Sequence, residues 1–194
     1  AAFRADHPAT LFEVQVADAQ GVAEQLRQGA CDIALQFSLR AEQGVEVIGS
    51  WPAPVLLLMQ QQHPLAAASA ITLAQLSHYP LALPQQNTTV RQLFELASHM
   101  SGQLIEPVLT CDNFSALFNF LLQTPQAVTI CSAFTVRGQT GRHQLALRSI
   151  NIEQLSQRTL QLQAQSGRPR SAALTLFLAF LQQQLSAEDP ALTA

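Results

Sequence analysis

The sequence contains no lysine: all ten of its basic residues are arginine, and with 13 acidic residues they give a net charge of −3 at pH 7. A chain with so few positive charges has no broad surface for binding phosphates, so we expect it to bind nucleic acid poorly by itself. The absence of lysine also excludes Schiff-base catalysis and the lysine of a phosphate-binding loop. The function must therefore depend on other chemistry.

Cysteine, reactive motifs and long apolar runs are scarce as well. The three cysteines, Cys31, Cys111 and Cys131, are not closely spaced, which fits a reducing, cytoplasmic location. The five scattered histidines form no zinc pattern with them, and no nucleophile motif stands out. No apolar run approaches the roughly 18–20 residues of a membrane span, and the first residues do not resemble a signal peptide. We expect no catalytic residue, no metal, no cofactor and no membrane contact.

The sequence does contain alternating strand and helix patterns. At 48% hydrophobic residues it can form one good-sized core or two small lobes. Leu11–Val16 alternates apolar and polar residues, which predicts a strand. A helix is predicted over Gly21–Gln28, with Asp18 as its N-cap and Gly29 at its end. A second strand over Cys31–Phe37 completes a predicted βαβ unit.

The same alternation continues to the end of the chain. Further strands are predicted at Val45–Ile48, Pro54–Gln60, Tyr79–Pro84, Ile105–Thr110, Ala127–Cys131, Leu145–Ile150 and Arg158–Gln165. Further helices are predicted at Ile71–Leu76 (capped by Thr72), Val90–Met100 (a capping box of Thr89 and Gln92), Phe114–Gln123 (capped by Asp112 or Asn113) and Ala172–Leu185 (capped by Ser171). We predict an α/β fold of two lobes, 1–58 plus 162–194 and 59–161, joined by two crossing strands, with a frayed tail over Ser186–Ala194.

Several segments occur in an order and spacing that are typical of one family. The most specific is Leu26–Leu35, of sequence LRQGACDIAL. The others are His63–Ala66 (HPLA), Leu73–Leu76, Tyr79–Leu81, Thr89–Leu93, Arg168–Ser171 and Phe177–Leu181. Together they resemble the effector-binding (regulatory) domain of LysR-type transcriptional regulators over essentially the whole chain.

This resemblance implies a fold and a function. It implies two Rossmann-like lobes of the periplasmic-binding-protein type 2 class, with a small effector bound between them. It also implies a homodimer or higher oligomer, and a winged helix-turn-helix preceding this segment through which alone the protein would contact DNA. The alternative is a solute-binding protein of a transport system, which shares the two-lobed fold. An enzyme on the same fold is a third hypothesis, but it has no visible catalytic groups.

The candidate effector site follows from the predicted topology. An α/β sheet binds ligands at the carboxyl ends of its strands, where four loops are expected, and three of them begin helices whose free N–H groups favour an anion. Asp18 would oppose an anion, so a zwitterion or a neutral polar effector is also open. The predicted effector-binding residues are Asp18, Ala19, Gln20, Gln36, Phe37, Ser38, Gln85, Asn87, Thr88, Thr89, Arg91, Thr110, Asp112, Asn113 and Phe114.

These residues also have purely structural explanations. Polar residues at helix starts often serve only as caps. Arg91 can bind a carboxylate, or it can pair with Glu95 four residues further on. Asp32 can be a site carboxylate, or it can form a salt bridge or satisfy backbone groups. Cys111 can be a redox thiol at a helix N-terminus or a buried structural cysteine.

Overall fold

The computed structural model describes residues 2–39 and 43–187, and these residues form two compact units. Unit 1 contains residues 2–39, 43–51 and 160–187, and unit 2 contains residues 52–159. The chain passes from one unit to the other twice. The lobe limits stated above stay a prediction, and residues 188–194 of the predicted tail lie outside the described residues.

Strands and α-helices alternate in the middle of the chain, between residues 56 and 131, whereas three strands follow one another without an α-helix on either side of that stretch. The helices are α1 (Ala2–Asp6), α2 (Ala19–Gln28), α3 (Leu73–Leu76), α4 (Thr89–Met100), α5 (Phe114–Gln123) and α6 (Ala172–Ser186). The strands are β1 (Ile33–Ser38), β2 (Val45–Pro52), β3 (Leu56–Gln60), β4 (Leu81–Pro84), β5 (Leu109–Cys111), β6 (Val128–Cys131), β7 (Leu145–Ser149) and β8 (Thr159–Gln165).

Unit 1 is built on a three-stranded sheet of order β1-β8-β2. Helix α2 has the predicted N-cap Asp18 and the predicted end at Gly29, but it begins at Ala19, two residues before the predicted Gly21. The Asp18 carboxylate accepts the N–H of Gly21 at 2.8 Å, and Gly29 ends the helix in the left-handed region at φ 69°. Leu26 is fully buried on the inner side of this helix.

The predicted first strand of unit 1 is not formed. Leu11–Val16 is neither helix nor strand, and no backbone hydrogen bond joins it to any other described residue, so it belongs to no sheet and the predicted βαβ unit is absent. A period-two pattern shows only that a segment is suited to one buried face, whereas a strand also needs a neighbour with free N–H and C=O groups.

Unit 2 contains a five-stranded sheet of order β5-β4-β6-β3-β7. Strand β4 runs parallel to β5 and β6, whereas β3 is antiparallel to β6 and β7. The larger hydrophobic core lies on this sheet and includes the fully buried Leu57, Met59, Leu83 and Phe94. This sheet carries α4 and α5, two of the three helices that begin at predicted site loops.

Two helix starts in unit 2 differ in how well they match the sequence prediction. Thr88, and not Thr89, is the N-cap of α4, because its Oγ1 accepts the N–H of Arg91 at 3.3 Å. The predicted box of Thr89 and Gln92 is therefore wrong, and adjacent threonines explain the one-residue error. Asn113 caps α5, which confirms one of the two predicted caps. Within the described ranges, no helix combines the length and apolarity needed to cross a membrane.

Candidate functional site

Two of the predicted site loops lie next to each other at one edge of the unit 2 sheet. In the parallel register of β4 and β5, Leu83 is opposite Thr110 and Pro84 is opposite Cys111. The loop before α4 and the loop before α5 therefore leave the sheet from adjacent positions at its carboxyl end. This is the edge at which parallel α/β sheets bind ligands.

The N-terminus of α4 has open hydrogen-bond donors. The N–H of Arg91 is capped by Thr88, and the N–H of Gln92 bonds the carbonyl oxygen of Thr88 at 3.0 Å. Within the part of the chain that the structure describes, the N–H groups of Thr89 and Val90 and the Thr89 hydroxyl have no partner. These donors stand at the positive end of a 12-residue helix, where an anion is stabilised.

The loop that precedes α4 adds amide groups. Gln85 and Asn87 are exposed, and the Gln85 carbonyl oxygen accepts from both the N–H and the hydroxyl of Thr88. The Gln86 amide lies 3.5 Å from the carboxylate of Glu95. The loop is therefore fixed through its backbone, while the side chains of Gln85 and Asn87 face solvent.

Arg91 forms the ion pair that its spacing allows. Its Nε lies 2.7 Å from Oε1 of Glu95, so this alternative is realised. The Arg91 side chain is only 8% exposed, and its Nη1 has no hydrogen-bond partner among the described residues. A buried guanidinium nitrogen without an acceptor is costly, so Arg91 keeps capacity for a further oxygen ligand.

The N-terminus of α5 is more nearly closed. The Asn113 side chain accepts from the N–H groups of Ser115 at 2.8 Å and Ala116 at 3.3 Å. The Cys111 sulfur accepts the N–H of Asn113 at 3.4 Å and is half-exposed. Of the two alternatives for Cys111, the buried structural cysteine is therefore not formed. Asp112 is exposed and Phe114 is half-buried against the smaller core of unit 2. The loop before α5 can therefore contribute van der Waals contacts to a ligand, but it has fewer free hydrogen-bond donors than the start of α4.

The predicted residues of unit 1 are placed differently. At the start of α2 the Asp18 carboxylate already occupies the positive helix end, next to Ala19 and Gln20. Gln36 and Ser38 are buried, and Phe37 is half-buried. The start of α2 in unit 1 therefore carries a hydrogen-bond acceptor, the Asp18 carboxylate, whereas the start of α4 in unit 2 carries unpartnered donors.

Gln36 belongs to a chain of buried amides that sequence reasoning missed. Its Nε2 donates to Oε1 of Gln163 at 2.6 Å, and Nε2 of Gln163 donates to Oε1 of Gln161 at 2.7 Å. The Gln36 carbonyl oxygen at the end of this chain has no partner in the described structure. The sequence does show glutamine at every second position of the strand predicted at Arg158–Gln165, which places these side chains on one face. Such a polar face is more typical of a strand exposed to solvent than of a buried amide chain.

An open cavity of about 240 Å³ lies elsewhere in unit 1, at the start of α6. Its lining includes Asp32, Gln165, Arg168 and Arg170. Asp32 lies 3.8 Å from Arg168 and Arg170 pairs with Glu46, so the salt-bridge alternative for Asp32 is the one formed. No residue predicted for the effector site lines this cavity.

One titratable pair buried in unit 2 was also missed. Burial raises the pKa of the Cys131 thiol to about 12, and burial lowers the pKa of Arg158 to about 10. The two groups lie close enough to affect each other's charge. Over residues 2–39 and 43–187, no three histidine, cysteine or acidic side chains are grouped so that they could hold a metal ion.

Comparison with known proteins identifies the family. The model of the LysR substrate binding domain matches residues 1–186. The chain belongs to the LysR substrate-binding domain family. It is a ligand-sensing regulatory domain with the periplasmic-binding-protein type 2 fold, and a role in transport is not favoured.

Individual relatives agree with this assignment. An uncharacterized HTH-type transcriptional regulator, YybE of Bacillus subtilis (strain 168), is 26% identical over 108 residues, which are 54% of this chain and 37% of the relative. The matched segment thus spans little more than a third of that regulator. The Synechocystis PCC6803 CcmR regulatory domain has a TM-score of 0.74 at 15% identity, covering 95% of this chain and 88% of that one. The cofactor-binding domain of the Cbl regulator has a TM-score of 0.71 at 22% identity, covering 97% and 82%. At these identities the two structures show the fold alone.

Proposed function

We propose that this regulatory domain binds a small anionic or zwitterionic effector whose acidic group lies at the N-terminus of α4. The observation that carries the proposal is the combination of free donors there: the N–H groups of Thr89 and Val90 and the Thr89 hydroxyl. Asn87 and the unpartnered Nη1 of Arg91 add two further donors from the same turn. Donors without acceptors favour an oxyanion.

The remaining predicted residues have secondary parts in the proposal. In unit 2, Gln85, Thr110, Asp112, Asn113 and Phe114 belong to the same sheet edge and shape the site. In unit 1, Asp18, Ala19, Gln20, Gln36, Phe37 and Ser38 stay predicted effector-binding residues, and the Asp18 carboxylate and the unpartnered side-chain oxygen of Gln36 are acceptors. The CcmR regulatory domain, which has the same fold, was solved in complex with 2-PG.

The signalling step follows from binding linkage. An effector changes the regulator only if it binds two conformations of the domain with different affinity. We propose that the protein acts in the cytoplasm as a homodimer or higher oligomer, that it carries out no catalytic step, and that a DNA-binding segment outside these residues receives the change.

The experiment is a thermal-shift screen of small carboxylates, sulfate and amino acids against this chain. A true effector raises the melting temperature with its concentration, because it binds the folded state. Thr88→Val and Thr89→Val should both reduce that rise. If the rise is unchanged in both variants, the effector binds elsewhere. If no compound in a broad panel of anions and zwitterions raises the melting temperature, the proposed ligand class is wrong.

A further inference from the structure

The turn Gln60–His63 of unit 2 begins at the last residue of β3 and binds two neighbouring segments. The side-chain amide of Gln60 donates to the carbonyl oxygen of Leu121 at 2.9 Å, near the end of α5. The ring of His63 contacts the carbonyl oxygen of Gln126, in the connection between α5 and β6. This one turn therefore fixes both the end of α5 and the segment that follows it.

His63 can make its hydrogen bonds only as a neutral ring. Its Nδ1 accepts the N–H of Leu65 at 3.0 Å, so Nε2 carries the proton and donates to Gln126 at 3.1 Å. A protonated ring has an N–H at both nitrogens, and the one at Nδ1 would face the N–H of Leu65, donor against donor. His63 is 5% exposed, so the added charge would also be buried. Protonation therefore favours a conformation in which the ring has moved into water.

No carboxylate lies on the segments around His63. The sequence has no aspartate or glutamate in residues 47–94 or 113–152, which contain β3, β4, α5, β6 and β7. Glu95 of α4 is engaged in an ion pair of its own. An imidazolium therefore has no anionic partner among the described residues of these five elements. The other titratable or charged side chains on these elements and their connections are His78, Tyr79 (ring centroid 4.5 Å from that of His63), Cys131, Arg137, Arg142, His143 and Arg148.

The residue that accepts from His63 has a strained backbone. Gln126 has a φ of 57°, in the left-handed region that residues other than glycine rarely adopt. The N–H of the next residue, Ala127, bonds the carbonyl oxygen of Thr124 at 3.2 Å and closes this connection. Strained conformations persist only where the surrounding contacts hold them, and the bond from His63 is one of these contacts.

We infer that His63 is a pH-sensitive switch: when its ring binds a proton, the ring leaves its site, and its bonds to Leu65 and Gln126 open while the sheet of unit 2 stays folded. The opening frees the connection between α5 and β6 from the turn Gln60–His63. This inference concerns unit 2 alone and does not depend on the proposed effector site.

The opening has a defined sign and slope with pH. Burial lowers the pKa of His63 from its usual 6.5, outweighing the bond to Gln126, which raises it. The exposed ring of the open form has the usual pKa, so the open form binds a proton more readily than the closed form. Below about pH 6.5 the opening equilibrium should therefore increase about tenfold for each pH unit, until the lower pKa of the closed form is reached. Above about pH 6.5 it should be constant.

Amide hydrogen exchange of the protein, followed by NMR between about pH 8 and pH 5, tests this. The protection factors of Leu65 and Ala127, which remove the direct effect of pH on exchange, should follow the stated slope. At about pH 5 both should be at least about tenfold lower than those of β4, because the opening is local. Protection factors that do not change with pH would overturn the inference. So would Leu65 and Ala127 amides that are as protected as β4 at about pH 5, since the opening would then be global.

His63→Asn assigns the effect to the titrating ring. Its oxygen can still accept from Leu65, but the side chain is too short to reach Gln126. Both protection factors should then be independent of pH, with Ala127 less protected than in the parent at about pH 8. His78→Asn, at an exposed histidine of unit 2, is the matched control and should keep the parent's pH dependence.

A pH dependence in His63→Asn equal to that of the parent would refute the switch. If His63→Asn fails to fold, the comparison of Leu65 and Ala127 with β4 in the unmodified protein still decides.

Discussion

The Nε2–H group of His63 donates to the carbonyl oxygen of Gln126, 3.1 Å away, while its Nδ1 accepts the N–H of Leu65 at 3.0 Å. Because one ring nitrogen must accept, the imidazole is neutral in the folded protein. Burial lowers the pKa of His63 from its usual 6.5, outweighing the contact with Gln126. His63 thus links the folded state to pH.

The sign of this linkage gives the first prediction. Below about pH 6.5, His63 binds a proton in the unfolded chain more readily than in the folded chain, so protonation stabilises the unfolded state relative to the folded one. The free energy of unfolding should be at its full value above that pH and decrease as the pH falls toward the lower pKa of the folded state. His63→Asn, whose oxygen can still accept from Leu65, should flatten this decrease. His78→Asn, at an exposed site, should leave it unchanged. Urea unfolding between pH 8 and 5 measures all three.

The second prediction concerns the cap of α4. Thr88→Ala removes the acceptor for the N–H of Arg91 and the donor to Gln85, and should lower the free energy of unfolding by about 1 kcal/mol. Thr89→Ala, one residue later, removes a hydroxyl without a protein partner and should lower the free energy of unfolding clearly less than Thr88→Ala does. Denaturant unfolding of both variants distinguishes them. A larger loss at Thr89 would mean that Thr89 is the cap after all.

The third prediction compares two glutamines in the buried amide chain. Gln163→Leu removes both the acceptor of Gln36 and the donor to Gln161, and should cost about 2 kcal/mol of unfolding free energy. Gln36→Leu should cost less, because it also removes a buried oxygen that has no partner. Equal losses in the two variants would show that the Gln36 oxygen has a partner, such as a buried water.

The fourth prediction concerns thiol reactivity. At pH 8, iodoacetamide should label Cys111 first, since that sulfur is half-exposed. Cys31 should react more slowly, because burial, with a smaller effect from Asp32, raises its pKa. Cys131 should react only after unfolding, because its pKa is raised to about 12. Mass spectrometry of timed samples gives the order, and early labelling of Cys131 in folded protein would contradict it.

Local signals in the sequence were enough to predict most helix ends. The start of α2 at Asp18 and its end at Gly29 were predicted because an N-cap and a left-handed glycine act within a few residues. The error at α4 is also local, since Thr88 and Thr89 are both suited to capping. The site at α4 was therefore predicted as a region, while the residue that caps it and the one that stays free were interchanged.

Long-range pairing could not be predicted in the same way. Leu11–Val16 has the pattern of a strand, but whether a strand forms depends on a neighbour that the pattern does not contain. Gln161 and Gln163 are buried although glutamine is usually exposed, so their residue type gives no sign that this face of β8 is covered. Burial of a polar strand face is a property of the assembled unit.

The binding of an acid group at the start of α4 is tested most directly by calorimetric titration of the best ligand from the thermal-shift screen. Thr89→Pro removes a free N–H and a hydroxyl at the first position of the helix, where proline is tolerated. Ala172→Pro makes the same backbone change at the first position of α6 and is the matched control. We predict at least about tenfold weaker binding in Thr89→Pro and unchanged binding in Ala172→Pro. Unchanged affinity in Thr89→Pro, with both variants folded, would contradict the proposed site.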